Sequence, residues 1–157
     1  MTRVSRLLDA RAHERPDAVA LLDGVDGRRL RWRDLAVHAA RWEELARASG
    51  LAPRRRVALA LDDPLSFGAA YLGCLAAGLA VVPLDPRGTA AELEAAVARL
   101  RADVLVTAPG DAAGVTPVER WSASLDGPRA VRPAPPGPRP SDQAARRPAA
   151  LLASSGT

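Results

Sequence analysis

The sequence predicts an α/β fold: a parallel βαβαβ sheet preceded by a helix and a β-hairpin. Three observations predict it. Strand-like stretches recur at residues 57–61, 80–82 and 103–107, apolar throughout except for Asp103 and Thr107 at the ends of the last, the pattern of strands covered on both faces. Two stretches with helical start and stop signals lie between them. The links are short, which pairs the strands in parallel through right-handed crossovers.

Each element has its own justification. Val4, Leu7 and Leu8 mark a short amphipathic helix that ends before Pro16, because proline disfavours helical backbone at the residue before it. Residues 18–22 are strand-like, Asp23-Gly24-Val25-Asp26-Gly27 carries turn chemistry, and residues 28–31 return as the partner strand. Trp32, Leu35, Ala36, Ala39, Trp42, Leu45 and Ala46 then repeat at helical spacing up to Gly50. The aromatics in that stripe are core anchors, and His38, off the stripe, is expected as a solvated surface histidine. Asp63 is placed to N-cap the first crossover helix, with Pro64 at its first position and Gly78 just past its end. Gly68, Ala69, Gly73, Ala76 and Ala77 leave that helix smooth enough to lie close against a sheet. Thr89-Ala90-Ala91-Glu92 forms a capping box, with Leu93, Ala96, Val97 and Leu100 as the stripe behind it. Past Ala108 regularity fades. Residues 118–125 are assigned a brief strand or turn. Residues 127–148, rich in Pro, Arg, Ala and Gly, are assigned a loop or linker. Strand character resumes at 149–153 before Ser154-Ser155-Gly156-Thr157.

Composition bounds the chemistry. The 157 residues are 48% hydrophobic but only 3% aromatic, so Ala, Val and Leu build the core of one domain, or of a piece of a larger one. Lys, Ile and Asn are absent and all 22 basic residues are arginines. Chemistry that needs a lysine ammonium or nucleophile is therefore excluded from this chain. The net charge of +4 and pI near 10.7 invite a nucleic-acid reading, but the excess is local. Arg129, Arg132, Arg139, Arg146 and Arg147 face Asp142 alone between Pro128 and Arg147, and the remainder balances to zero. A basic, proline-rich stretch without interleaved aromatics fits a solvated linker better than a binding arm, so no nucleic-acid partner is expected. Cys74 is the only cysteine, which rules out an internal disulfide and suits a reducing compartment. Between Gly73 and Leu75 it is expected as a small buried residue, not a nucleophile. The N-terminus lacks the apolar stretch of a signal peptide, and no run approaches the ~20 apolar residues that span a bilayer. The expectation is a soluble, cytoplasmic chain without membrane contact.

Four segments resemble, in order and spacing, the AMP-forming adenylating enzymes, which include acyl-CoA synthetases and the adenylation domains of nonribosomal peptide synthetases. Arg15-Pro16-Asp17-Ala18-Val19-Ala20 resembles the family's R-P-D-x-x-A entrance. Leu30-Arg31-Trp32-Arg33-Asp34-Leu35 resembles L-T/S-Y-x-E-L, with Arg31 where the family has a capping hydroxyl. Residues 71–86, from Tyr71 through Gly78 and Pro83 to Leu84-Asp85-Pro86, resemble L-x-A-G-x-A-x-V-P-L-D/N-P. Residues 151–157 resemble the opening of the phosphate loop, T/S-S-G-T/S-T-G-x-P-K-G. The resemblance covers essentially the whole chain. It implies an N-terminal part of an AMP-binding domain spanning 1–157, with Ser154, Ser155, Gly156 and Thr157 as half of a phosphate cradle and no catalytic or metal-binding residue assigned. It further implies a carboxylic acid substrate, ATP with Mg²⁺, and CoA or the phosphopantetheine of a carrier protein as acyl acceptor. On this expectation the chain is an N-terminal fragment, inactive alone and binding none of these tightly. The alternative is a small free-standing α/β binding or interaction module without catalysis.

Overall fold

A computed structural model of the protein describes residues 1–110 and 118–133. Within them the chain runs α1 (Arg3–Glu14), β1 (Val19–Leu22), β2 (Arg29–Arg31), α2 (Trp32–Ala48), β3 (Arg56–Ala60), α3 (Pro64–Ala76), β4 (Ala80–Pro83), α4 (Ala90–Leu100), β5 (Val104–Thr107), β6 (Glu119–Ser124) and β7 (Gly127–Arg132). β1 and β2 pair as the expected hairpin. The other five strands form one sheet in the order β4-β3-β5-β6-β7, parallel except for β7, which runs antiparallel to β6.

The layers follow from side-chain alternation. Val57, Leu59, Val81, Val104, Val106 and Trp121 face α2 and α3, where they meet Trp42, Ala46, Ala70 and Cys74. Ala58, Ala60, Val82 and Leu105 face the other way, onto Leu93 and Val97 of α4. Burial on both faces explains the apolar runs. The crossover through α3 steps from β3 to β4, and the one through α4 steps back past β3 to β5. Right-handed crossovers in opposite directions put their helices on opposite faces. A third cluster, with Leu8, Leu30, Leu35, Ala39, Ala69 and Ala76, joins α1 and the hairpin to α2 and α3.

The local signals hold. Asp63 Oδ2 accepts the Ser66 N–H at 2.8 Å, Thr89 and Glu92 cap α4 reciprocally, and Gly50 and Gly78 take positive φ past their helices. Arg31, which carries no acceptor, leaves only Asp34 at the start of α2, taking the Arg31 N–H at 3.1 Å. No helix among the described residues is long and apolar enough to cross a membrane.

Three expectations are corrected and one is extended. Leu7 is 55% exposed; Val4 and Leu8 form the inward face of α1. The small residues of α3 do more than smooth its contact with the sheet. A Cβ on Gly73 would lie 2.2 Å from Trp42 Cδ1, so this glycine lets α2 and α3 touch. The stretch assigned as a loop from 127 opens with a strand, β7, because Gly127 at φ +106 closes the turn from β6, and Pro128 sits on an edge strand where a missing N–H is tolerated. Residues 134–148 lie outside the described residues. His38, expected in solvent, is buried.

Candidate functional site

Open parallel sheets bind ligands outside the carboxyl ends of their strands, where the strand order reverses. Here that reversal falls between β3 and β5. A groove of about 700 Å³ opens at this end. Its floor and walls come from Leu61, Asp62 and Asp63 after β3, Ala108 and Pro109 after β5, and Ser124, Leu125 and Asp126 after β6, with Arg28 reaching in from the hairpin.

The electrostatics of the groove centre on Arg28. Its guanidinium meets Asp63, Asp26 at 2.5 Å and the buried Asp23 at 3.3 Å. The Asp63 and Asp26 hydrogen bonds hold Arg28 further into its charged form than usual. Asp26 is held below the usual carboxylate value by the Arg28 backbone and side-chain hydrogen bonds. Burial of Asp63 works against its ionisation, but hydrogen bonds from Ser66 and Arg28 outweigh this and lower its pKa. Asp63 thus caps α3 and ties the hairpin to that helix at once.

α2 fixes the far wall. His38 Nε2 lies 2.5 Å from the Leu125 carbonyl oxygen, so that nitrogen carries the proton and donates. One turn on, Arg41 donates to the Asp126 carbonyl and packs over Gly127, where a Cβ would come within 2.9 Å of its Cδ. Trp42 meets Trp121 of β6 with ring centroids 5.8 Å apart. Burial lowers the His38 pKa below the usual value, against the pull of its bond to Leu125.

These residues do not make a triphosphate or Mg²⁺ site by themselves. Arg28 is matched by three carboxylates, so the groove offers no net positive polarity to a phosphate. Among the described residues no cluster of His, Cys, Asp or Glu could hold a metal ion. Ser154, Ser155, Gly156 and Thr157, the phosphate-loop residues expected from the sequence, lie outside the described residues. Cys74 is fully buried and its thiol pKa is raised by that burial, as befits a packing residue. Sequence reasoning missed Arg28, His38 and Arg41. Arg28 and Asp63 are 35 positions apart, and His38 and Leu125 are 87 apart, so no local pattern announced them.

The chain is similar to known proteins along most of its length. A family model described as AMP-binding enzyme matches residues 8–157. Phosphinothricin tripeptide synthetase PhsB of Streptomyces viridochromogenes is 42% identical over 80 residues, covering 51% of this chain and 7% of that protein. The crystal structure of IdnL1 superposes with a TM-score of 0.72 at 27% identity over 93% of this chain and 31% of its own. The nonribosomal peptide synthetase FmoA3, in an α-methyl-L-serine-AMP-bound form, gives a TM-score of 0.67 at 25% identity over 83% of this chain and 16% of its own. The chain therefore spans less than a third of each of these three relatives. The motif order along the chain, the reversing parallel sheet and the match over 8–157 agree, and the chain belongs to the AMP-binding enzyme family.

Proposed function

We propose that this chain serves as the N-terminal part of an adenylate-forming ligase, in which a substrate carboxylate attacks the α-phosphate of ATP to release pyrophosphate and form an acyl-adenylate. A thiol then attacks the acyl carbon, forming a thioester as the bond to the phosphate oxygen breaks and AMP leaves. The single observation that carries this is the family match over 8–157.

On this reading the described residues hold and shape, while the charge chemistry comes from elsewhere in the domain. The step needs dense positive polarity and in-line placement of the carboxylate. Arg28 is already neutralised, so it supplies neither. Ser154, Ser155 and Thr157 would bring hydroxyls, and Gly156 a closely approaching N–H, to phosphate oxygens. In the family Mg²⁺ accompanies ATP; no described residue is assigned to it. The likeness to PhsB and FmoA3, with the Leu84-Asp85-Pro86 wording, favours an amino acid substrate and a carrier-protein phosphopantetheine as acceptor.

The coding sequence after the Thr157 codon tests the reading first: it should continue as Thr-Gly-x-Pro-Lys-Gly or a near relative. In the polypeptide so completed, Ser155→Ala with Thr157→Ala should lower ATP–pyrophosphate exchange by about 100–1,000-fold, the scale of losing a donor to a developing anion. Full exchange activity in the double variant refutes the phosphate-cradle assignment. Exchange activity from residues 1–157 alone refutes the purely structural role given to the groove.

A further inference from the structure

We infer that Arg54 and Arg101, at the amino-terminal end of the parallel strands, form a two-pronged docking point for an acidic helix of a protein partner. Among the described residues they are the non-glycine positions with positive φ, 67° and 51°. The register shows that they belong together. Val57 pairs with Val104, so three positions earlier Arg54 and Arg101 enter adjacent strands at the same level. Arg56 pairs with Ala80, which sets Gly78, at φ 76°, level with Arg54 on its other side. The Arg54 N–H donates to the Gly78 carbonyl at 2.7 Å and ties that part of the row together. Three neighbouring strands are thus entered through a left-handed residue, and β4 alone of the three uses the glycine that suits it.

Backbone chemistry does not account for two arginines there. A side chain in the left-handed region costs stability that glycine avoids. A cation suits the carboxyl end of α4, which explains the charge of Arg101, but no helix ends at Arg54. Their neighbours anchor the strand entries instead. Arg55 Nη1 lies 3.9 Å from Asp103 Oδ1, the Arg56 N–H donates to Asp103 Oδ2 at 2.9 Å, and Arg56 Nη1 donates to the Leu100 carbonyl at 2.7 Å. The buried Asp103 carboxylate is therefore engaged with Arg55 and Arg56. The side chains of Arg54 and Arg101 have no hydrogen-bond or ionic partner among the described residues. Both are exposed, as are Ala52 and Pro53 before the first and Ala98 and Arg99 before the second. The described surface around the pair is open.

Charge and spacing select the occupant. Neighbouring strands lie about 4.8 Å apart, and acidic residues at i and i+4 on a helix are about 5–6 Å apart. Each guanidinium can take one carboxylate through two parallel hydrogen bonds. The backbone of each prong is already held, Arg54 by Gly78 and Arg101 by the Ala98 carbonyl at 3.1 Å, so little main chain has to be ordered on binding. A single-stranded nucleic acid would want aromatic rings for its bases, and none occurs in residues 52–56 or 98–103. The groove lies beyond the opposite ends of these strands, after β3 and β5, so a helix docked here leaves it uncovered.

The test uses the 157-residue chain and a fluorescein-labelled helical peptide with glutamates at i and i+4, read by anisotropy. Arg54→Gly with Arg101→Gly should raise the peptide Kd by about tenfold or more. The same variant should melt at a higher temperature, because glycine relieves the left-handed backbone as it removes the charge. Arg6→Gln with Arg29→Gln, which removes equal charge from α1 and β2, should change the Kd less than about twofold. A more stable protein that has lost the peptide is the expected signature. A lower melting temperature for the glycine pair would show that the two arginines hold the fold, and would overturn the inference. So would equal weakening by the two pairs, no binding by the parent chain, or tighter binding of inorganic phosphate or duplex DNA through Arg54 and Arg101. None of these readouts depends on adenylation, so the proposal and the assigned function fail separately.

Discussion

Substituting Gly73 by alanine asks whether the α2–α3 contact depends on a missing methyl group. An added Cβ would meet Trp42 Cδ1 at 2.2 Å, Cγ at 2.6 Å and Nε1 at 2.9 Å. The ring has nowhere to go: it is 1% exposed and backed by Trp121 at 5.8 Å. Overpacking of this kind costs about 1–3 kcal/mol or more, while alanine gains about 1 kcal/mol over glycine in a helix interior. The difference is about 0–2 kcal/mol or more, and a contact at 2.2 Å falls at the upper end, so Gly73→Ala should destabilise the chain by about 2 kcal/mol in net. Trp42→Ala, itself costing about 3–5 kcal/mol, removes the three atoms nearest the new methyl. In that background Gly73→Ala should become stabilising by about 1 kcal/mol, from helix propensity alone. Urea denaturation of the four proteins, followed by far-UV circular dichroism so that loss of the indole does not distort the signal, measures the cycle. A sign reversal between backgrounds is the expected result. Equal destabilisation in both would show that Gly73 is needed for its backbone and not for space, and would refute the contact argument.

Three other outcomes are expected. His38 binds fewer protons folded than unfolded, so its contribution is fully present above its unfolded pKa of about 6.5 and is lost as pH falls towards the depressed folded value. His38→Gln should therefore show a smaller fall in Tm between about pH 7.5 and pH 5.5 than the parent chain, and an unchanged slope would rule out His38 as the source. Arg101 closes α4 at φ 51, in the left-handed region, so Arg101→Gly should raise stability by roughly 0.5–1 kcal/mol in a thermal or urea melt; a loss would mean the arginine side chain is needed there. Asp63→Ala should cost about 1–2 kcal/mol through the lost cap, and Asp63→Asn, which still caps, clearly less. Indistinguishable melts for these two would place the stabilisation in the Arg28 ion pair instead.

What was legible in the sequence was local. The caps at Asp63 and Thr89 and the glycines at 50 and 78 act within a few residues, so their chemistry shows in the string itself, and the structure repeats it. The three apolar runs carried the parallel core for the same reason. The hidden parts were long-range or masked by composition. His38 looked solvated because its partner, the Leu125 carbonyl, belongs to a turn that no helical stripe could announce. β7 hid inside a Pro- and Arg-rich stretch, where Gly127 turns the chain and the paired partner, β6, was itself only faintly marked. Of the candidate site, the sequence marked Asp63 through its capping role; the Arg28 network joins the hairpin to α3 across a gap that only folding closes. Ser154, Ser155, Gly156 and Thr157 were named from motif wording, and they fall outside the described residues.

The entombed thiol makes the molecule its own stopwatch. Cys74 has no exposed surface, and with no other sulfhydryl present an alkylating reagent can react only when α3 lifts away, so the labelling rate times that opening event. Amine reagents are blind to the same motion, since these 157 residues carry no lysine.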